Sequence, residues 1–347
     1  MYIKFMLEDN KNIYVANWLL LITFLLALMI AVGGITRLTD SGLSITKWDL
    51  FSGVIPPLGK EQWDIAFSLY KQIPEYTLLN SSMNLNEFKF IFFWEYIHRL
   101  LGRVIGLCFV LPLIFFTFKG FINKKRDIVY FYFIFVLICF QGFIGWYMVK
   151  SGLTERTDVS HYRLSLHLTV AFFIYILLFI KYLHYKIPIL SINGEKLPYK
   201  LPLFFVFLIL VQISFGAFVS GLDAGQIYQT WPLMNESYFP DDSMFNELFT
   251  LKVFETPSLV QFLHRNIAYL IVFIFVLILF SIYRSNKYKF LRKPSFLVLI
   301  ALLFQTFLGV ITVTSGAHIF IASMHQIGSI FLITASVILM FINSKAN

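Results

Sequence analysis

Four ionisable side chains, Glu95, His98, Arg99 and Arg103, crowd into one otherwise apolar stretch, "FFWEYIHRLLGR" at residues 92–103. On a helix, spacings of three and four put Glu95 on the same face as His98 and Arg99. A carboxylate one turn from an imidazole can take a proton, stabilise a developing cation or act as a nucleophile. Its plainer use is a salt bridge to Arg99. Three more histidines have comparable settings: His167 in "YRLSLHLTV", His264 in "QFLHRNIAY" and His325 in "SMHQIGSIF". Imidazoles from two helices, projecting into one apolar bundle interior, can fill both axial positions of a heme iron and bury the macrocycle. The pairs in chain order are His98 with His167 and His264 with His325. Zinc or copper would usually want three or four clustered ligands, and Glu95 is the one obvious addition to either pair. Arg99, Arg103 and Arg265 lie beside the first histidine of each pair, where a guanidinium could bond bidentately to a heme propionate; interfacial snorkelling is the alternative. For Lys150, Arg37 and Arg163 that alternative leads. His161, His184 and His318 are read as structural, although His318 stands seven residues before His325 and could share its face.

The elements that must hold these residues are membrane helices. Of 347 residues 58% are hydrophobic and only 14% charged, a balance that soluble domains do not have. Eight apolar runs long enough to cross a hydrocarbon core fall near 17–36, 90–118, 128–149, 164–182, 202–220, 259–283, 295–314 and 319–343. The expected fold is therefore all-α and integral to the membrane, with no soluble domain. The first run lacks a following small-residue cleavage site and its preceding tail carries both signs of charge, so it is expected to remain as an anchor helix.

The runs repeat. Helix two holds "EYIHRLLGRVIG" and helix six "QFLHRNIAYLIV"; helix three reads "QGFIGWYMVKSGL" and helix seven "QTFLGVITVTSGA"; helices four and eight begin "SLHLTVAFFIY" and "SMHQIGSIFLI". These matches are offset by 166, 164 and 158 residues. Helices one and five are related more weakly, through "AVGGITRLTDSGL" and "QISFGAFVSGLDAG". Four helices per unit is an even number, so both copies insert the same way up: two four-helix bundles, residues 1–182 and 183–347, related by an axis along the membrane normal. The halves differ at one telling position. Glu95 precedes His98 by three residues, whereas Gln261 precedes His264 by three. The first half therefore reads as chemical and the second as an electron relay.

Lysine and arginine set the orientation. The N-terminal tail, the links at 118–127, 181–200 and 283–294, and the C-terminus hold 16 Lys/Arg against 4 acids, while the remaining segments hold 12 against 15. Both termini are expected on the cytoplasmic side. The net charge of +9 is on this reading a topology signal, with no nucleic acid as partner. All four paired histidines then lie in the outer third of their helices. Cys108 and Cys139 fall inside apolar runs and are expected to be buried small hydrophobes.

Taken together, "VGGITRLTDSGLSITKWDLFSGVIPPLGKEQW", "EYIHRLLGR", "QGFIGWYMVKSGL", "YRLSLHL", "GLDAG", "TWPLM", "FLHR" and "MHQIGS" resemble the heme A synthase family nearly end to end. The resemblance implies a bacterial inner-membrane enzyme that oxidises the C8 methyl of heme O to the formyl group of heme A for cytochrome oxidase. It implies Glu95 as catalytic acid, His98 and His167 as ligands of the substrate heme, and His264 and His325 as ligands of a heme b cofactor. Heme O synthase (protoheme farnesyltransferase) and cytochrome oxidase assembly factors are the protein partners it suggests, within the lipid bilayer. Residues 37–89 contain no cysteine, so the chain resembles the proteobacterial and mitochondrial branch, which lacks the loop cysteine pair. The competing readings are a bis-histidine cytochrome b that only moves electrons, and a heme or quinone carrier; neither gives a reason for Glu95 against Gln261.

Overall fold

The computed structural model describes residues 2–48, 52–187 and 192–346. Its α-helices are α1 Tyr2–Leu38, α2 Lys60–Tyr70, α3 Pro74–Leu78, α4 Leu85–Phe118, α5 Lys125–Glu155, α6 His161–Lys186, α7 Leu201–Gly221, α8 Pro257–Arg284, α9 Arg292–Thr314 and α10 Ile319–Ser344. Eight of them are long and apolar enough to span a bilayer: α1 from Asn12, α4 to α6, and α7 to α10. The protein is an all-helical, multi-pass membrane protein.

Several helices outrun the apolar signal that predicts them. Helix α4 starts at Leu85 because Asn84 accepts from the amides of Asn86 and Glu87 at 2.9 and 3.1 Å, and Glu87 reaches back to the Asn84 amide at 2.8 Å. That reciprocal cap satisfies amides that would otherwise end the helix in the apolar run. Helix α5 continues to Glu155, so Lys150 is helical. The boundary drawn at residue 182 falls one turn before the end of α6.

Burial sorts the spans into two rings. Helices α1, α6 and α10 bury the most and α5 and α9 the least, with α4 and α8 also largely open. Phe115, Phe133, Phe140, Phe273, Phe280, Phe296 and Phe307 are exposed on the open helices. Lipid tails are as apolar as these side chains, so nothing drives them inward. Cys139 belongs to this outer surface and Cys108 is half-buried, which corrects the expectation that both are buried. An apolar run reads the same whether it faces protein or lipid.

The inner ring is close-packed through small residues. Helix α1 packs on α4 and α6, α10 on α9 and α7, and the halves meet through α6 against α7 and α1 against α10. The "GG" of α1 serves both neighbours. Gly33 faces His98 of α4, while a Cβ at Gly34 would lie 1.7 Å from Oε1 of Gln326, whose Nε2 donates to the Ile30 carbonyl at 2.9 Å. One continuous core runs through both halves, including Phe109, Phe131, Phe172, Phe205 and Phe275.

The loop between α1 and α4 is more structured than an exposed loop. Helices α2 and α3 fold over the outer end of the first half, with Phe67, Tyr70, Ile73, Phe88 and Phe92 as a small core of their own. At the same end Arg37 joins three segments: its guanidinium contacts Asp40 at 2.8 Å, Asp158 at 3.0 Å and Asp223 at 3.1 Å. Two of these carboxylates come from the first half and one from the second.

Candidate functional site

Each of the four paired histidines rests its ring on a glycine of the preceding span. His98 lies on Gly33, His167 on Gly145, His264 on Gly216 and His325 on Gly309; a Cβ at these glycines would stand 2.7, 3.1, 3.2 and 3.0 Å from the ring carbon Cε1. Any larger residue would push the ring aside. In every ring Nδ1 is buried without a hydrogen-bond partner. The rings nonetheless keep part of their surface open, although each lies inside a helix bundle. A buried imidazole nitrogen left unpaired is costly, and four equivalent cases mark positions that a ligand would complete.

Backbone locks accompany the ring seats. Gln141 donates to the His167 carbonyl at 2.9 Å, Gln212 to that of His264 at 3.0 Å, and Gln305 to that of His325 at 3.0 Å. Each glutamine stands four residues before its glycine, giving Gln-x-x-x-Gly in α5, α7 and α9. In α1 the same place is Met29, whose methyl packs near Gly102 instead. His98 is thus seated but lacks the glutamine lock that the other three share. The signal was in the sequence, where "QGFIG", "QISFG" and "QTFLG" recur, but its meaning depends on which carbonyl the amide reaches.

The two histidines of the second half face one another. His264 and His325 have ring centres 6.5 Å apart with planes at 80°. His98 on α4 and His167 on α6 are each seated on a glycine of the first half, Gly33 and Gly145. Among the described residues no group of three or more His, Cys, Asp or Glu side chains is close enough to hold a metal ion.

Glu95 is buried, 3% exposed, and fully engaged. Its Oε2 accepts from Ser44 Oγ and from the Ile45 amide, both at 2.7 Å, and its Oε1 accepts from Arg99 Nη2 at 2.5 Å. The i, i+4 salt bridge is therefore present, together with two donors from the loop that follows α1. In the second half Gln261 Nε2 donates to the Tyr228 carbonyl at 3.0 Å.

The arginines beside the first histidines tie down the outer loops. Arg99 donates to the carbonyls of Ile45 at 2.8 Å and Lys47 at 3.1 Å; Arg265 donates to those of Tyr228 at 2.9 Å, Thr230 at 2.9 Å and Leu233 at 3.2 Å. Arg103 is half-buried one turn further along α4. Sequence could not give this use of Arg99 and Arg265, because a backbone carbonyl has no residue signature.

The remaining histidines stand apart from both pairs. His184 Nδ1 lies 2.8 Å from the Ile180 carbonyl of its own helix. His161 packs on Gly221 and Phe218. His318 is exposed and precedes the first turn of α10, so its spacing of seven does not put it on the face of His325.

Fold and site define a multi-pass membrane protein of eight apolar helices, with four glycine-seated histidines among its spans. The sequence profile of the cytochrome oxidase assembly protein family matches residues 16–337, and the chain belongs to that family. It is 49% identical to a heme A synthase of Pelagibacter ubique (strain HTCC1062) over 345 residues, 98% of this chain and 100% of that protein. It is also 45% identical to a heme A synthase of Rickettsia bellii (strain OSU 85-389), over 94% of this chain and 96% of the relative. With that of Rickettsia felis (strain ATCC VR-1525 / URRWXCal2) it shares 42% identity, over 92% and 95% respectively.

Proposed function

We propose that this protein is a heme A synthase, an oxidoreductase that converts the C8 methyl of heme O into the formyl group of heme A. The observation that carries the reading is the identity of 49% sustained over 98% of the chain with a protein of that name. In the proposal His98 and His167 hold the substrate heme, and His264 and His325 hold heme b. The donor set fits such a cofactor. Imidazoles from two helices with ring centres roughly 6 Å apart would leave room for its iron between their nitrogens. The observed separation in the second half is 6.5 Å.

Bound heme b would supply one-electron transfer. The chain itself does the positioning. Gly216 and Gly309 fix the two rings, and Gln212 and Gln305 fix the backbone that carries them. In the first half Ser44, Ile45 and Arg99 hold the Glu95 carboxylate in one orientation one turn from His98, where it can receive a proton or face a cation developing at the substrate methyl. Arg99, Arg103 and Arg265 are the proposed partners of the propionates, alongside the loops that Arg99 and Arg265 restrain. We place the protein in a bacterial inner membrane with both termini cytoplasmic, on the strength of the Lys/Arg asymmetry. Heme O synthase is the partner that would hand over the substrate.

The test is to supply heme O in air, with a one-electron acceptor, to the purified protein and identify the product by mass and spectrum; recovery of heme O alone would sink the enzyme reading. His264→Ala or His325→Ala should remove a low-spin heme, and His318→Ala should keep it. For orientation, an impermeant thiol reagent applied to intact cells should label Pro240→Cys and spare Tyr288→Cys.

A further inference from the structure

A cavity of about 270 Å³ lies between the loop after α1, Arg99 of α4 and the last turns of α5. Its walls include Lys47, Trp48, Arg99, Trp146 and Lys150. Two of these residues adjoin the histidine site in sequence: Arg99 follows His98, and Trp146 follows Gly145, the seat of His167. The cavity is therefore continuous with the chain segments that carry the first-half pair. Arg99, Lys47 and Lys150 line it, and no acid does. The cations are set against indoles, the Arg99 guanidinium 5.0 Å from the ring centre of Trp48 and the Lys150 ammonium 5.0 Å from that of Trp146. Arg99 is nine-tenths buried and its Nε has no partner.

The second half does not repeat these walls. At the offset of 164 residues that relates α5 to α9, Trp146 corresponds to Val310 and Lys150 to Thr314. A resident group needs no landing site, but a group that arrives and leaves with every turnover does. Helices α4 and α5 pack on each other far less than α1 packs on α4 or α6, so this side of the first half is its loosest seam.

We infer that this cavity is the docking site for the carboxylates of the exchangeable substrate. Lys150 and Lys47 join Arg99 in receiving them, and Trp48 and Trp146 flank the edge of the flat ring. The inference rests on the reading of the first half as a substrate heme site. Ammonium and guanidinium donors bond carboxylates strongly where water is scarce, and an indole face suits both a cation and an apolar ring. A lipid phosphate could use the same cations, so the test separates the two sources.

Heme O and its dimethyl ester, which lacks both carboxylate charges, would be given to wild-type protein and to Lys150→Gln, Lys150→Arg and Lys47→Gln in nanodiscs of phosphatidylcholine alone. KM for heme O should rise about tenfold in Lys150→Gln with kcat kept, and Lys150→Arg should restore it. KM for the ester should be the same in all four proteins. A KM that rises equally for acid and ester would overturn the inference. So would an effect of Lys150→Gln confined to nanodiscs containing anionic lipid, which would assign the cavity to a lipid headgroup. Failure of wild-type protein to convert heme O would instead count against the enzyme reading itself. The spectrum of the second-half heme, unchanged in every variant, reports that the fold is intact.

Discussion

Glu95 and Gln261 occupy equivalent places in the two halves and bond their outer loops with opposite polarity. Glu95 accepts the amide proton of Ile45, whereas Gln261 donates its own to the carbonyl of Tyr228. The exchange of carboxylate for amide thus matches a change in what the backbone presents. Glu95→Gln can still accept from Ile45 and Ser44 through its amide oxygen, but it sets an amide NH2 against the Arg99 guanidinium. Heme A formation should fall about 100-fold or more, with the second-half heme retained and heme O or a partly oxidised product accumulating. Product analysis by mass spectrometry checks this. A wild-type rate would leave Glu95 as an anchor for the loop and nothing more.

The glycine seats predict a sharp pattern. Gly216→Ala and Gly309→Ala would force the rings of His264 and His325 from contacts of 3.2 and 3.0 Å, so the purified variants should retain the second-half heme about tenfold less well. Gly33→Ala and Gly145→Ala should depress turnover and spare that spectrum. Gly142 has open space where a Cβ would go, and Gly142→Ala serves as the silent control. Equal behaviour of all five variants in heme content and turnover would remove the seats from the account.

Glutamine locks should act through position and not through ligation. Gln305→Leu loses a hydrogen bond worth about 1 kcal/mol and frees the His325 backbone. The variant should still bind heme but release it about tenfold faster and at a shifted reduction potential. Met29→Gln would add the missing lock beneath His98. If the asymmetry among the four histidines serves exchange, the purified Met29→Gln protein will carry more bound product than wild type and turn over more slowly.

The outer cap supplies a pH-dependent prediction. Burial pushes the carboxyl of Glu75 up to about 8 against the lowering effect of the bond from Tyr70, and the charges of Glu95, Asp40 and Asp158 raise it further. Between its ordinary value of 4.5 and about 8, the folded cap therefore holds a proton that the unfolded chain has lost. Its contribution to stability is full below that window, declines as pH rises through it and is gone above it. Thermal unfolding and amide exchange of residues 60–80 should both show the cap loosening between about pH 5 and pH 9. Glu75→Gln should flatten that dependence, and an unchanged slope would exclude Glu75 as its source.

The eight spans were legible in the sequence because each depends on run length, and the glycine-seated histidines could be singled out by residue type within those runs. The direction a span faces was less legible: Cys139 sits in a run as apolar as that of Cys108, yet points outward. Arg99 and Arg265 stand next to His98 and His264 in the chain, but their loop carbonyl partners could not be read from side-chain identity. The cap over the first half was concealed for a related reason. Phe67 and Tyr70 are separated from Phe88 by polar turns in the chain and join it in one core only when α2 folds back on α4.

The contacts between the halves have the symmetry of a dimer. Exchanging α1 with α7 and α6 with α10 turns the contact of α1 on α10 into that of α7 on α6, and both contacts are present. An isologous interface between two copies gives the same exchange of contacts. Two separate copies of a four-helix chain could pack in the same way, but every substitution would then appear twice, at both centres at once. Covalent linkage lifts that restriction. One half can carry Glu95, Met29 and Lys150 while the other carries Gln261, Gln212 and Thr314, so that the two are free to diverge within a single scaffold.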